Sequence, residues 1–399
     1  MGEFLVNTST AGIQHQPAVA AFRGTHYLAV WNDTRTAEIK AQVFQTNGNR
    51  SGSEFVVNGA AAVPNNTDRE HPVVVGTGGG PVVAWVEKAF NPPGPVPHVK
   101  AQRFNLDGQK IGTELQVSTA DVDPMHRPAV TNMVDGGFLV TWVDADSTRR
   151  IRAQRFSIDG ARKGAEFTVN TSAGFHRGPV ATTLGNGNYV VAWRTDPVPP
   201  GGGRLVFRIF DLAGNPVTGE IAPDVSGFSD EKAMTALDGD SRFVIAHVRD
   251  LGESDIGERK SVVKAHVFTS GGAGPDISFF ATDADGINSR FPALGFLPGK
   301  RFLLGWVQKS AETVATTPTV RARVFFDGAG TGGQEIQVDA GVGAAPEVDR
   351  FQLRTATAFG GGDATTAFVT WADEGGSGDT SDFAVRGRIL NVSDVGGLS

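Results

Sequence analysis

The stretch "GEFLVNTS" at residues 2–9 recurs almost letter for letter inside the chain, as "AEFTVNTS" at residues 165–172. The internal copy ends a longer repeated unit, whereas the first copy has no preceding unit to end. A sequence that begins with the last strand of a repeat is typical of a closed ring, in which this strand completes the final unit.

Tryptophans mark the repeat. Each lies in a short apolar run, and His247 in "FVIAHV" stands where one further tryptophan is expected. Counting His247, the successive spacings are 54, 57, 51, 54, 59 and 65 residues. These spacings predict seven units, centred on Trp31, Trp85, Trp142, Trp193, His247, Trp306 and Trp371.

Each unit carries four strand-like runs, which we name A, B, C and D. In the third unit they are "PAVTNMV" (128–134), "FLVTWV" (138–143), "IRAQRF" (151–156) and "EFTVN" (166–170), separated by glycine-containing turns. Seven C runs are followed by only six D runs, at residues 54–58, 114–118, 166–170, 220–224, 276–280 and 335–339. "EFLVN" at residues 3–7 supplies the seventh.

The predicted fold class is therefore all-β: a seven-bladed β-propeller with four antiparallel strands per blade. Closure is of the 3+1 type, with residues 3–7 completing the C-terminal blade. We expect one propeller domain over residues 1–399. The tryptophans of strand B are expected to form the core between blades, and small residues of strand C are expected to allow close packing of the sheets.

Composition excludes several functions. The net charge of −7 and the absence of a Lys/Arg cluster argue against nucleic-acid binding. The chain has no cysteine, which excludes disulfides, thiolate catalysis and cysteine–zinc sites. No apolar run approaches the roughly 18 residues that span a bilayer. "DVD" (121–123) and "DADG" (283–286) are only fragments of calcium loops, and the histidines show no metal-ligand spacing. We expect no metal and no cofactor.

The two faces of such a propeller differ. The A–B and C–D turns are mostly short and rich in glycine, whereas the B–C loops vary widely in length and composition from unit to unit. Strand alternation places the B–C and D–A connections on the same face. Irregular loops on a rigid scaffold commonly carry binding sites, so this face is the predicted site of function.

Chargeable residues occupy equivalent positions at the start of the seven A strands. They are expected to surround the end of the central channel, and they are His15, Glu70, His126, Arg177, Glu231, Arg290 and Arg350. Carboxylates follow strand B at Asp33, Glu87, Asp144, Asp250 and Asp373. Pairing of A with B predicts His126 and Arg127 near Asp144, and Glu231 and Lys232 near Asp250. Two interpretations stay open: ion pairs that hold A to B, or a polar site for a charged or polyhydroxylated ligand.

The consensus is roughly P-A-V, V-x-W-x-D, I-x-A-Q-R-F-x-x-D-G and G-x-E-F-x-V-N, and residues 141–172 carry it best. It resembles a repeat found in tandem in large bacterial secreted and surface proteins, beside adhesin-type modules. The resemblance covers the whole chain, although units five and seven match poorly. It implies a secreted or cell-surface location and, by analogy, binding to glycans or surfaces.

The sequence thus favours a non-enzymatic, lectin-like or adhesive propeller that binds a glycan or another polar or anionic small ligand. The alternative is an enzyme in the same funnel, a polysaccharide hydrolase or lyase or a small-metabolite enzyme. Glycoside hydrolysis needs two carboxylates about 5–9.5 Å apart, for which Glu70, Glu231 and the four strand-B aspartates are candidates. Unit five, with His247 in place of tryptophan, is the deviant sector that keeps the enzyme open. A structural module within a longer surface polypeptide is the third possibility.

Overall fold

The structure, a computed structural model, describes residues 2–59, 67–91, 94–196, 203–223, 225, 228–237, 241–253, 259–271, 277–280, 287–310, 318–326, 332–339, 353–359, 365–373 and 384–393. Arg350 and the "DADG" sequence at 283–286 lie outside these residues. Among the described residues, there is no helical segment with the length and apolar character needed to span a bilayer.

The described strands, numbered β1–β27 in chain order, form seven antiparallel units, which we call blades 1 to 7. Blade 1 contains β2 (Gln14–Phe22), β3 (His26–Asp33), β4 (Glu38–Gln45) and β5 (Arg50–Val56). Blade 2 contains β6 (Thr67–Thr77), β7 (Gly80–Asn91), β8 (Gly94–Phe104) and β9 (Lys110–Gln116). Blade 3 contains β10 (Ala129–Asn132), β11 (Phe138–Val143), β12 (Ile151–Phe156) and β13 (Phe167–Thr168).

The second half of the chain continues the pattern. Blade 4 contains β14 (Phe175–Thr183), β15 (Tyr189–Asp196) and β16 (Arg204–Phe210). Blade 5 contains β17 (Phe228–Ala236), β18 (Arg242–Glu253), β19 (Arg259–Thr269) and β20 (Ile277–Phe280). Blade 6 contains β21 (Ile287–Leu297), β22 (Arg301–Ser310), β23 (Thr319–Phe326) and β24 (Ile336–Gln337). Blade 7 contains β25 (Arg354–Phe359), β26 (Thr365–Asp373), β27 (Ala384–Asn391) and, from the other end of the chain, β1 (Phe4–Leu5).

The innermost strands close into a ring. Each A strand contacts the A strand of the next blade, in the cyclic order β2, β6, β10, β14, β17, β21, β25 and back to β2. The sheets therefore surround one axis, and the A strands line the channel along it. The prediction of an all-β propeller built from four-stranded antiparallel sheets is confirmed.

The N-terminal strand occupies its predicted place in blade 7. Phe4 pairs with Gly387 and Leu5 with Arg386 across β1 and β27. Asn7 extends this pairing, because its Oδ1 accepts a hydrogen bond of 2.9 Å from Val385 N. Asn58 and Asn170 do the same at 2.8 Å for Ile39 N and Ile151 N in blades 1 and 3. The recurring asparagine of the consensus thus satisfies a strand-C amide just beyond the end of strand D.

Blade 4 departs from the prediction at its outer strand. The predicted D run at 220–224 forms only an isolated bridge between Ile221 and Phe207, and a second bridge joins Pro216 to Phe210. Pro223 has no amide hydrogen, so a continuous ladder cannot extend along this run. The blade keeps three regular strands, and in the described part of its outer edge Val217 N also donates to Ile209 O at 2.8 Å.

The tryptophans lie between blades, as predicted. All six are at most 2% exposed. Trp85 of blade 2, for example, packs in one cluster with Val30, Ile39 and Ala41 of blade 1. Gly387 carries no side chain because a Cβ there would overlap the ring of Phe368. Sheet-to-sheet packing therefore requires small residues on strand C.

Blade 5 replaces the tryptophan with a buried histidine pair. His247 and His266 stack with ring centroids 5.1 Å apart, and their Nε2 atoms are 3.0 Å apart. His247 Nδ1 donates to Val248 O, so its Nε2 must accept from His266 Nε2–H, and His266 Nδ1 then accepts from Ser278 Oγ. This chain of hydrogen bonds is complete only when both rings are neutral.

We expect this pair to make stability fall in mild acid. Burial lowers the pKa of His247 to about 4 and that of His266 to about 3, whereas the unfolded chain titrates near the ordinary value of 6.5. The unfolded state therefore binds more protons between these limits, and stability present above pH 6.5 is lost as pH falls toward 4. At pH 5 the loss is about 2 kcal/mol for each histidine and about 4 kcal/mol for the pair.

Urea unfolding at pH 7.5 and pH 5 measures this loss. The control is the double variant His247→Trp, His266→Gln, which restores the residues that blades 1, 2 and 3 carry at these positions. Its stability is expected to fall less between the two pH values. An equal fall in both proteins would contradict the assignment.

Candidate functional site

Strand A begins with a bulge in most blades. The pairing register of strands A and B shifts within His15–Ala18, Glu70–Val73, Arg177–Val180, Phe228–Lys232 and Arg290–Ala293. Gln16, His71 and Phe291 have φ of 54°, 58° and 54° inside these shifts, in the left-handed region that costs a non-glycine residue about 1 kcal/mol or more. The strained residues thus occupy the same place in blades 1, 2 and 6, at the start of strand A.

A cavity of about 350 Å³ lies on the axis inside these bulges. Its wall comes from the innermost strands of all seven blades, including the bulge prolines Pro179 and Pro292, and from Pro128 just before β10. Four charged side chains reach it: Arg127, Glu231, Lys232 and Arg354. We call this space the upper cavity. It opens at the end of the channel where the D–A and B–C connections lie, which is the face that the sequence analysis favoured.

Of the predicted ring residues, Glu231 lines the upper cavity. Its Oε1 accepts from Arg290 Nε at 2.9 Å, and its Oε2 accepts from Phe291 N at 2.7 Å. Glu70 accepts from Lys88 Nζ at 2.5 Å, which is a contact between strands A and B. Arg177 forms an ion pair with Asp196, again between A and B.

The two histidines of the ring lie in local hydrogen bonds. His15 Nε2 is 3.0 Å from Asn32 Oδ1, and His126 Nδ1 is 3.2 Å from Asp123 Oδ2. Arg350 is outside the described residues. Glu231 therefore lies in the wall of the upper cavity. The other described residues of the predicted ring form hydrogen bonds or ion pairs with nearby residues instead.

The aspartates at the end of strand B contact strand C. Asp33 Oδ2 lies 2.7 Å from Lys40 Nζ, Asp144 Oδ2 lies 3.6 Å from Arg152 Nε, and Asp373 Oδ2 lies 2.9 Å from Arg386 Nε. Each basic residue also approaches a glutamate of strand D: Glu54, Glu166 and Glu3, respectively. A buried carboxylate, a strand-C cation and a strand-D carboxylate thus recur as one structural unit. Asp250 is exposed, and its Oδ1 accepts from Gly252 N at 2.8 Å.

Two arginines that the site prediction did not include line the upper cavity. Arg127 Nη2 donates to Gln16 O at 3.2 Å, whereas its Nη1 has almost no accessible surface and no hydrogen-bond partner. Arg354 Nη1 donates to Leu353 O at 2.5 Å. Burial and the neighbouring Arg354 charge hold the pKa of Arg127 well below its usual range, and burial lowers the pKa of Arg354 to about 10 although Glu231 opposes this.

Arg354 differs from the residues at the equivalent position of the other blades, and the pairing of strands A and B shows which residues are equivalent. Arg354 pairs with Thr370, the residue before Trp371. In the other six blades the residue at this register is small and apolar, and all six line the upper cavity: Ala18, Val73, Ala129, Val180, Ala233 and Ala293. A guanidinium therefore replaces a methyl or isopropyl group at one position of a sevenfold ring. The longer A–B connection of the seventh unit hides this equivalence in the sequence.

Two neutral imidazoles lie beside Arg127. Burial lowers the pKa of His71 to about 3, with Arg127 and Lys88 lowering it further. Burial also lowers the pKa of His15, and Arg127 adds to that shift. His71 N donates to Gln16 Oε1, and Gln16 O accepts from Arg127, so blades 1, 2 and 3 are joined here. Both imidazoles are therefore uncharged at neutral pH, and their lowered pKa values make them weak proton acceptors.

The part of the chain that the structure describes contains no group of three or more His, Asp or Glu residues arranged to hold a metal ion. Asp123 of the "DVD" sequence lies within 3.2 Å of His126 and 2.8 Å of Arg149 instead.

Comparison with known proteins shows the fold. No family model matches the chain, and no curated protein matches it. Among solved structures, a PL25 ulvan lyase shares 11% identity at a TM-score of 0.57, over 98% of this chain and 94% of that one. The BP39L lectin from Burkholderia pseudomallei shares 11% at 0.55, over 96% and 98%. A protein of unknown function from Dyadobacter fermentans shares 10% at 0.55, over 98% of both chains.

The carboxylate units at the ends of strands B and D are expected to contribute to stability. Asp33→Ala removes the partner of Lys40 and the acceptor for Arg35 N, at 3.1 Å, and should lower the unfolding free energy by about 2–4 kcal/mol. The control is Asp107→Ala, which breaks an exposed pair with Arg23 and should change it by less than about 1 kcal/mol. Equal effects of the two changes in urea unfolding would refute the assignment.

Proposed function

We propose that this chain is a non-enzymatic, lectin-like propeller that binds a carbohydrate in the upper cavity. The observation that carries the proposal is the cavity itself, about 350 Å³ in volume, with polar groups converging from several blades onto one axial space. Ligand pockets of small molecules have this size and this combination of an apolar wall with a few polar groups. The wall is built on strands rather than loops, so the polar groups are held in place before a ligand arrives.

The rim of the cavity face also suits a sugar. Exposed apolar side chains lie at its loops and strand ends, at Phe90, Met125, Phe175 and Leu251. Sugars present apolar C–H faces beside their hydroxyl groups, and aromatic rings pack on such faces. The solved structures with this fold include both a lectin and a polysaccharide lyase, so either activity is compatible with the scaffold.

Binding is favoured over glycoside hydrolysis by the state of the carboxylates. Among the described residues that line the upper cavity, Glu231 is the sole carboxylate, and both of its oxygens already accept hydrogen bonds. Hydrolysis needs a second carboxylate within about 10 Å that is free to exchange a proton. Asp33, Asp144 and Asp373 are engaged with strand-C cations.

The proposal includes the setting of the protein. The likeness of its repeat to those of large bacterial surface proteins supports an adhesin-like origin, a secreted or cell-surface location, and a single propeller domain over residues 1–399. A surface-attached propeller would gain from ligands that are themselves presented in many copies, because multivalent attachment strengthens weak sites.

A second candidate function, catalysis in the same funnel, is favoured by the neutral His15 and His71 beside Arg127. A neutral imidazole can hydrogen-bond a substrate hydroxyl, and a nearby guanidinium can stabilise the negative charge that develops. In hydrolysis or elimination alike, cleavage of a glycosidic bond creates a new reducing end.

Filling the upper cavity tests the binding proposal. Ala233 lines it, so Ala233→Phe should abolish retention on a glycan array while leaving the unfolding transition within about 1–3 kcal/mol of wild type. Ala161→Phe, on an exposed turn at the opposite face, is the matched control and should bind as wild type does. If the wild type binds no glycan, or the filled variant binds as well as wild type, the proposal fails.

An assay for new reducing ends on neutral and acidic polysaccharides tests the second candidate. The non-enzymatic proposal predicts no turnover above buffer. Turnover that His71→Ala reduces by about 100-fold or more would establish the enzyme in its place.

A further inference from the structure

The upper cavity is asymmetric in charge, and the asymmetry has a defined origin. Six of seven equivalent ring positions carry alanine or valine, whereas the seventh carries Arg354. Arg127 approaches the same space from blade 3, close enough for the two guanidinium charges to repel each other. Packing does not require Arg354, because the other blades form the same wall with alanine or valine at its position.

The two arginines lack an equivalent negative charge. Glu231 is the carboxylate of the described lining, and it is held by Arg290, with Arg290 Nη2 2.5 Å from its Oε1. Arg127, Lys232 and Arg354 add three positive charges to the same wall. This excess occurs in a protein whose net charge is −7, so it is a local feature of the site and not of the surface as a whole.

Arg127 shows the cost of this arrangement. Its Nη1 is buried without a hydrogen-bond partner, although a buried charged donor normally has one. The pKa values of Arg127 and Arg354 are both lowered, mainly by burial, which means that the site as it stands disfavours their charged forms. An anion between them would supply an acceptor for Arg127 Nη1 and would favour the charged forms of both side chains.

The part of the channel beyond the arginines has an uncharged described lining, so it offers no cation to an anion that goes deeper. This lower cavity, about 610 Å³, is lined by apolar side chains with Thr131, Thr182, Thr183, Thr235 and Asn132. Its described lining contains no charged residue. A negatively charged group that enters from the D–A and B–C face is therefore stabilised at the level of Arg127 and Arg354 and not beyond it.

From these observations we infer that the upper cavity selects an acidic sugar residue, whose oxyanion, a uronate carboxylate or a sulfate ester, is received between Arg127 and Arg354. The inference rests on the proposed function and names its ligand class. A guanidinium donates two parallel N–H groups that match the oxygens of either group. The acid end points into the channel, and the remainder of the saccharide extends toward the rim at Phe175 and Met125.

The test uses glucuronate, glucose 6-sulfate and glucose as probes, followed by calorimetric titration and thermal unfolding. Wild type should bind one or both acidic probes and bind glucose at least 10-fold more weakly. The variants Arg354→Ala and Arg127→Met should each weaken acidic binding at least 10-fold. Arg23→Met, which changes an exposed arginine on the opposite face, should bind as wild type. Comparison of the two acidic probes identifies the carboxylate or the sulfate ester as the preferred group.

A second measurement separates a binding role from a structural one. Without ligand, Arg354→Ala should melt at the same temperature as wild type or higher, because it removes a cation that repels Arg127 and introduces a small apolar residue like those of the other blades. A lower melting temperature with unchanged affinity for the acidic probes would overturn the inference.

The two proposals fail separately. Glycan binding that is equally strong for neutral and acidic sugars and survives both arginine changes would refute the acidic-sugar inference and leave the carbohydrate proposal standing. Binding of inorganic sulfate that is lost in Arg354→Ala, without binding of any saccharide, would support the arginine pair as an anion receptor and refute the carbohydrate ligand.

Discussion

The pairing of Phe4 and Leu5 with Gly387 and Arg386 joins the two ends of the chain in one sheet, and the axial cavity depends on it. Phe4 packs between the rings of Phe44 in blade 1 and Phe368 in blade 7, with centroids 5.4 Å and 5.6 Å away. Thr8, just beyond this strand, donates its amide to Glu54 of blade 1 at 2.7 Å. The same short segment thus completes one blade and contacts the next, which protects an edge that would otherwise be open.

The glutamate at the start of strand D repeats this contact between blades. Glu166 of blade 3 accepts from Thr119 N of blade 2 at 2.7 Å, and Glu220 of blade 4 accepts from Ser172 N of blade 3 at 2.9 Å. The glutamates repeated at the start of strand D therefore join neighbouring blades and do not face the axial cavity. The charged residues of the consensus are therefore mostly accounted for by closure, and the residues that deviate from it stand out.

The chemistry of the axial site comes from such deviations. Arg354 stands at a position where small residues complete the wall elsewhere, and Arg127 stands where other blades have glutamine, histidine, glycine, glutamate or phenylalanine. Rigid strands bring these side chains to one space at the axis, and a low-dielectric wall strengthens their field. Because the ring is closed, two residues that differ from their counterparts in the other blades, Arg127 and Arg354, line the same axial cavity.

The sequence by itself determined the architecture, because inter-blade packing must repeat: the tryptophan spacing, the four runs per unit and the displaced "EFLVN" follow from one packing unit used seven times. It also placed Glu231 at the same end of the axis as the loop-rich face. Only the tertiary structure decided which charges face the channel. The bulge in strand A redirects side chains by one register position, strand C supplies the partners of Asp33, Asp144 and Asp373, and the equivalence of Arg354 with Ala18 depends on strand pairing. The alternation of apolar residues along a strand predicts which of its faces is buried. The partner of a charged side chain depends instead on which neighbouring strand or blade packs beside it.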